Sequence, residues 1–157
     1  MHTHAQRRGF TLIEVLLVIG IIAVLAGVVL IAINPTRQFQ QARDSQRVSN
    51  VNAILNAIGQ YIADHKGDSP SAIASTTASE DIGSDGIDIC RDLVPTYLPS
   101  LPTDPTSGHN GAGLLETECE ASDTYSTGYT LEKDTEGRIT ISATAETPGA
   151  DAISATR

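Results

Sequence analysis

From Val15 to Ile33 the chain runs for nineteen residues without a charge or a strongly polar side chain, and Glu14 stands immediately before that run. Nothing else in the sequence restricts the fold so strongly. The stretch Phe10 to Ile33 is 24 residues long, about 36 Å as a helix at roughly 1.5 Å per residue, against a hydrocarbon core of about 30 Å. It is long enough to span a bilayer. A carboxylate held at mid-bilayer costs roughly 2.5–3.5 kcal/mol on insertion scales. Glu14 therefore either lies near the headgroups or has a second destination where its charge meets a partner.

The remaining sequence limits what can fold in water. The chain has 157 residues and no Trp, and its two Phe, Phe10 and Phe39, both precede Asp68. The 90 residues from Asp68 to Arg157 hold few large apolar side chains, so a head built from them needs a packed helix, a disulfide, a metal or neighbours. Charge divides unevenly. The first nine residues carry Arg7 and Arg8, whereas the head has sixteen acids against Arg91, Lys133, Arg138 and Arg157. Such a head repels phosphate backbones, which argues against direct nucleic-acid binding.

The basic pair before the apolar run favours a cytoplasmic N-terminus and an exported remainder. No small-x-small cleavage site follows the run, which ends at Asn34–Pro35, so an ordinary secretory signal is disfavoured. The stretch RRGFTLIE with its apolar continuation resembles the signal of bacterial type IV pilins and type II secretion pseudopilins. The resemblance implies a leader, residues 1–9, cut after Gly9 by a prepilin peptidase that then N-methylates Phe10. It further implies that in a filament Glu14 is drawn to the Phe10 amine of a neighbouring subunit. Many relatives carry a proline inside the apolar helix. Here Gly20 and Gly27 are the only weak points within it.

Residues 34–67 turn amphipathic. Val48, Val51, Leu55, Ile58 and Ile62 recur at spacings of 3 and 4, predicting a helical stripe packed on the head, with Gly67 as its stop. An interruption is expected at Asn34–Pro35. Residues 68–86 read as a Ser/Thr/Gly-rich loop, 92–98 as a short helical turn, and 126–131 with 138–143 as a hairpin turning at KDTEG. The tail from Thr144 reads as frayed. The expected fold is therefore α+β: a transmembrane or filament-core helix (10–33) and a stalk helix (34–67), the latter packed on a small acidic head (68–157) with a C-terminal antiparallel sheet.

Cys90 and Cys119 are expected to form a disulfide if the head is exported, and to be free thiols otherwise. LPTDP (101–105) resembles an element of major secretion pseudopilins whose neighbouring loop binds calcium, which implies Asp104 and Asp123 as candidate ligands. An acidic loop that is merely solvated fits the same residues. No further cofactor is expected. The four histidines, His2, His4, His65 and His109, form no recognisable catalytic motif, so no enzyme is expected, and a Cys119–His109 pair would be silenced by the disulfide.

The expectation for function is a structural subunit of a type IV pilus-like filament. The alternatives are a pseudopilin of a secretion or DNA-uptake machine and an unprocessed membrane-anchored binding module. The resemblance implies copies of the chain itself, the prepilin peptidase, an inner-membrane platform and an ATPase as partners. It places the protein first in the inner membrane, single-pass with an exported head, and then in an extracellular or periplasmic filament.

Overall fold

The computed structural model describes residues 9–74, 78–106, 111–120 and 124–157. It divides into two compact units, one ending at Gln38 and the other running from Phe39 to Arg157.

In the first unit, α1 (Leu12–Ala32) runs unbroken through Gly20 and Gly27, and none of its residues is buried. With 21 residues it is long and apolar enough to cross a membrane. Its end is local chemistry. Ile33 leaves the helix with extended backbone, its N–H still donating to the Val29 carbonyl at 2.9 Å. Asn34 then caps the next helix, its Oδ1 accepting from the Arg37 N–H at 3.3 Å. Pro35 sits at the first helical position, where its missing N–H costs nothing and its fixed φ suits the turn. The interruption expected at Asn34–Pro35 is thus a new helix start.

That helix, α2 (Pro35–Asp64), provides one wall of the second unit's core. Arg47, Asn50, Val51, Ile54, Leu55, Ala57 and Ile58 are its buried residues. The face differs from the expected stripe: Val48 is 47% exposed, and Ile62 is only partly covered. Two polar residues displaced Val48 because they find partners in the head. Asn50 Nδ2 donates to the Tyr129 hydroxyl at 2.8 Å and to the Thr103 carbonyl at 3.2 Å, and Arg47 is bound as described below. The helix stops as expected near Gly67, whose N–H donates to the Ile62 carbonyl at 2.9 Å, with Lys66 in the left-handed region.

The head carries a four-stranded antiparallel sheet in sequential order, β1 (Glu80–Gly83), β2 (Ser126–Lys133), β3 (Ile139–Ala143) and β4 (Ile153–Thr156). The hairpin β2–β3 is the expected one. Its turn closes by Asp134 N–H donating to the Arg138 carbonyl at 2.9 Å, with Gly137 at positive φ. Thr127, Tyr129 and Leu131 of β2 and Ile139, Ile141 and Ala143 of β3 alternate inward. All of these but Thr127 share one apolar core with α2 and with Ile73, Ile82, Ile87, Ile89 and Leu93.

Two expectations are corrected. The stretch read as a loop contains α3 (Ser71–Ala74) and β1. β1 has one large apolar residue, Ile82, and is held by its ladder to β2. Gly83 lets that approach happen, since a Cβ there would lie 2.5 Å from the Tyr125 carbonyl oxygen. The tail is likewise ordered: Ile153, Ala155 and Thr156 pair with Ala143, Ile141 and Thr140, and Ile139 and Arg157 exchange backbone hydrogen bonds of 2.8 and 3.0 Å. Small side chains hide such a strand, because its stabilisation comes from the ladder.

Two short helices complete the head, α4 (Cys90–Leu93), which begins two residues before the expected turn, and α5 (Glu116–Glu120) within the acidic segment. The Cys90–Cys119 disulfide joins them, with Cα atoms 5.5 Å apart and a sequence separation of 29. Arg91 donates from Nε to the Cys119 carbonyl at 3.0 Å and from Nη2 to the Glu120 carbonyl at 3.2 Å, covering the end of α5. A loop of that length restricts the unfolded chain by about 3.5 kcal/mol in the chain-entropy account. The Cys90→Ala/Cys119→Ala variant of the full chain in detergent should lose about that much head stability, read from the urea midpoint of tyrosine fluorescence. An unchanged midpoint would show that the bridge contributes nothing.

Candidate functional site

Gly9, Phe10 and Thr11 precede the first helical residue, and Phe10 is 90% exposed. Thr11 is the N-cap of α1, with extended backbone. Its Oγ1 accepts from the Glu14 N–H at 3.3 Å, and its own N–H donates to Glu14 Oε2 at 2.8 Å. The Thr11 hydroxyl donates to the same carboxylate oxygen at 2.9 Å. This is a capping box: two otherwise orphaned backbone donors are satisfied reciprocally, and the acid lies at the positive end of the helix. The Gly9–Phe10 peptide therefore lies in non-helical chain just ahead of a firmly fixed helix start. The capping role of Thr11 was not anticipated, although T-L-I-E (11–14) is itself the Ser/Thr-x-x-Glu signature.

The second candidate, Asp104, is positioned by the head. Its N–H donates to the Thr127 carbonyl at 2.7 Å, beside β2. Both of its carboxylate oxygens accept from Arg47, from Nε at 2.6 Å and from Nη2 at 3.0 Å. The Thr106 N–H and hydroxyl donate to Oδ1 at 2.8 and 2.7 Å. Arg47 is only 3% exposed, and it also reaches Asp44 Oδ1 at 2.8 Å and Glu146 Oε2 at 3.4 Å. Asp44 in turn accepts from the Glu146 N–H at 2.8 Å and from the Thr147 N–H and hydroxyl at 2.9 and 2.5 Å. Arg43 binds Glu146 through both Nε and Nη2.

Charge and hydrogen bonding explain the protonation states here. Burial resists ionisation of Asp104, but Arg47 and Thr106 outweigh it and hold its pKa at about 2. Burial also opposes the Asp44 charge, and the donors from Glu146, Thr147 and Arg47 pull it well below the usual carboxylate range. Both oxygens of Asp104 are thus engaged by a guanidinium. Its expected calcium partner, Asp123, lies outside the described residues. Among the described residues no group of three or more His, Cys, Asp or Glu is gathered to hold a metal. His109 also lies outside them, and Cys119 is in the disulfide.

Residues 4–30 match the family described as the prokaryotic N-terminal methylation motif, the prepilin-type signal of type IV pilins and pseudopilins. Comparison with curated proteins and with solved structures finds no match.

The clasp makes a prediction with a definite sign. Asp44 and Asp104 have folded pKa values below the unfolded value of about 3.9. Their contribution is complete above about pH 4 and is lost as pH falls towards 2. Arg47→Ala should cost about 3–5 kcal/mol at pH 7, because it strands buried carboxylates. The stability difference between the wild type and Asp104→Asn should be flat from pH 7 to about 4 and shrink below it. A difference that grew on acidification, in urea titrations across this range, would contradict the assignment.

Proposed function

We propose that this chain is a structural subunit of a type IV pilus-like filament, matured by cleavage after Gly9 and N-methylation of Phe10. The N-terminal methylation motif matched at residues 4–30 supports a pilin-like or pseudopilin substrate of prepilin peptidase. The observation that carries the reading further is the join between that signal and α1. The cleavage peptide precedes a capped helix whose apolar surface is exposed along its length. In the bilayer, lipid covers α1, and the head lies on the exported side. In the filament, the α1 helices of other copies replace lipid.

Glu14 has a partner in both settings. Before assembly its carboxylate is held by Thr11, so the charge enters the apolar phase partly neutralised by hydrogen bonds. After cleavage the Phe10 amine is a cation at the helix start, and in a bundle of staggered copies the amine of one chain meets the Glu14 of the next. That pairing fixes axial register. An inner-membrane platform and a cytoplasmic ATPase supply the work of extraction.

A pseudopilin of a secretion or DNA-uptake machine is the second reading, favoured by the LPTDP segment ahead of the terminal sheet. The same signal and helix serve either machine. Abundance in native surface filaments distinguishes them.

Two variants test the proposal. Gly9→Val should leave the leader attached, visible as an unshortened chain on a gel. Glu14→Ala should be processed normally yet lower the yield of sheared filaments on the order of a hundredfold, because the amine is left without its buried partner. Wild-type filament yield from Glu14→Ala would remove the pairing.

A further inference from the structure

One side of the head carries an open apolar groove of about 280 Å³, lined among others by Leu55, Ile58, Gly59, Ile62, Ile139 and Arg157. Its aliphatic residues come from α2 and β3. Arg157 follows β4, pinned by its backbone to Ile139. Its guanidinium lies across α2 at Gly59, where Nη1 is 3.3 Å from the position a Cβ would take. Among the described residues Arg157 makes no ion pair. The groove is thus an apolar slot with a cation at its rim, and it calls for an apolar side chain next to an acid.

Among its described residues the second unit exposes three large apolar side chains, Phe39, Val48 and Leu115. Charge chooses among them. Phe39 sits between Arg37 and Arg43, and Val48 follows Arg47, so neither brings a spare acid towards Arg157. Leu115 is 55% exposed and is followed by Glu116, also exposed and without an ion pair among the described residues. Its position is rigid. Leu114, immediately before it, exchanges two backbone hydrogen bonds of 2.8 Å with Leu101. The Leu115 N–H donates to Glu118 Oε2 at 2.8 Å, and Cys119 is stapled to Cys90.

We propose that the groove receives Leu115 of a second copy of this chain, with Glu116 of that copy paired to Arg157. The knob and the groove are different surfaces carried by different elements. Their contact is heterologous: each head uses its groove for one neighbour and its knob for another. Such contacts propagate into open chains unless the rotation closes a ring. The proposal rests on the filament reading and adds a head-to-head contact to the packing of the apolar helices.

Cysteines at Leu115 and Ile62 test it in the full-length protein in its native envelope, with oxidation followed by a non-reducing gel. The double variant Leu115→Cys/Ile62→Cys should give a ladder of dimers, trimers and longer species, and either single variant should give none. Dimers from Leu115→Cys alone would show knob meeting knob and overturn the proposal. Wild-type filaments with no ladder from the double variant would overturn it while leaving the filament reading intact. A ladder where the wild type makes no filaments would uphold the contact and sink the filament reading, and the absence of both would remove both. Charge reversal gives a second measure that spares the apolar packing. Arg157→Glu and Glu116→Arg should each lower filament yield roughly two- to fivefold, as expected for one rim ion pair, and the combined variant should restore it. Reversals that add rather than cancel would contradict the pairing.

Discussion

Arg47 is a charge on a stalk helix that the head has taken out of water, and that removal is tolerable only if its donors are met. Asp44, Asp104, Glu146 and Thr106 meet them. These acceptors belong to three separate segments: α2 itself, the proline-rich turn before β2, and the connection from β3 to β4. One guanidinium therefore fixes α2 against both loops, while Asn50 bonded to Tyr129 and Thr103 adds polar contacts beside it. The apolar residues of α2 supply much of the driving force. The polar clasp sets the rotation at which that face is buried, since a turn of the helix by one residue would carry Arg47 and Asn50 away from Asp104, Thr103 and Tyr129 and leave those buried groups without their donors.

A different constraint governs the first unit. Its helix has no buried residue and is long and apolar enough to cross a membrane. The single acid in its first turn is held by a capping box, which makes it at once a helix start signal and a stored charge. The disulfide, the clasp and the small sheet give the second unit an ordered surface despite a strongly acidic composition. The order extends to Leu115 and Arg157, the two residues through which copies of the head are proposed to meet.

The parts of this architecture carried by periodic apolar patterns or turn chemistry were legible in the sequence. The apolar span, the stop at Gly67, and the β2–β3 hairpin with its Asp134–Gly137 turn are of this kind. The signal at Gly9, Phe10 and Glu14 was legible because basic residues, a glycine, an aromatic residue, Thr-Leu and a glutamate coincide within eight positions before a clean apolar span. What escaped was built by tertiary contact. Val48 satisfied the helical spacing, but polar partners in the head favoured Arg47 and Asn50 for the buried face. β1 and β4 carry one large apolar residue each, Ile82 and Ile153, so their composition read as loop while the neighbouring strands supplied their hydrogen bonds. The pairing of Asp104 with Arg47 escaped because the two are distant in sequence, 57 residues apart.

Everything proposed for the N-terminus depends on removal of the leader between Gly9 and Phe10 and on entry of the new terminus into assembly. Intact-mass and N-terminal peptide mass spectrometry on protein from its native membrane or sheared surface fraction tests it most directly. The expected product is a chain beginning at Phe10 with one added methyl group. A chain still beginning at Met1 in functional material would contradict it, leaving Glu14 a helix cap and nothing more.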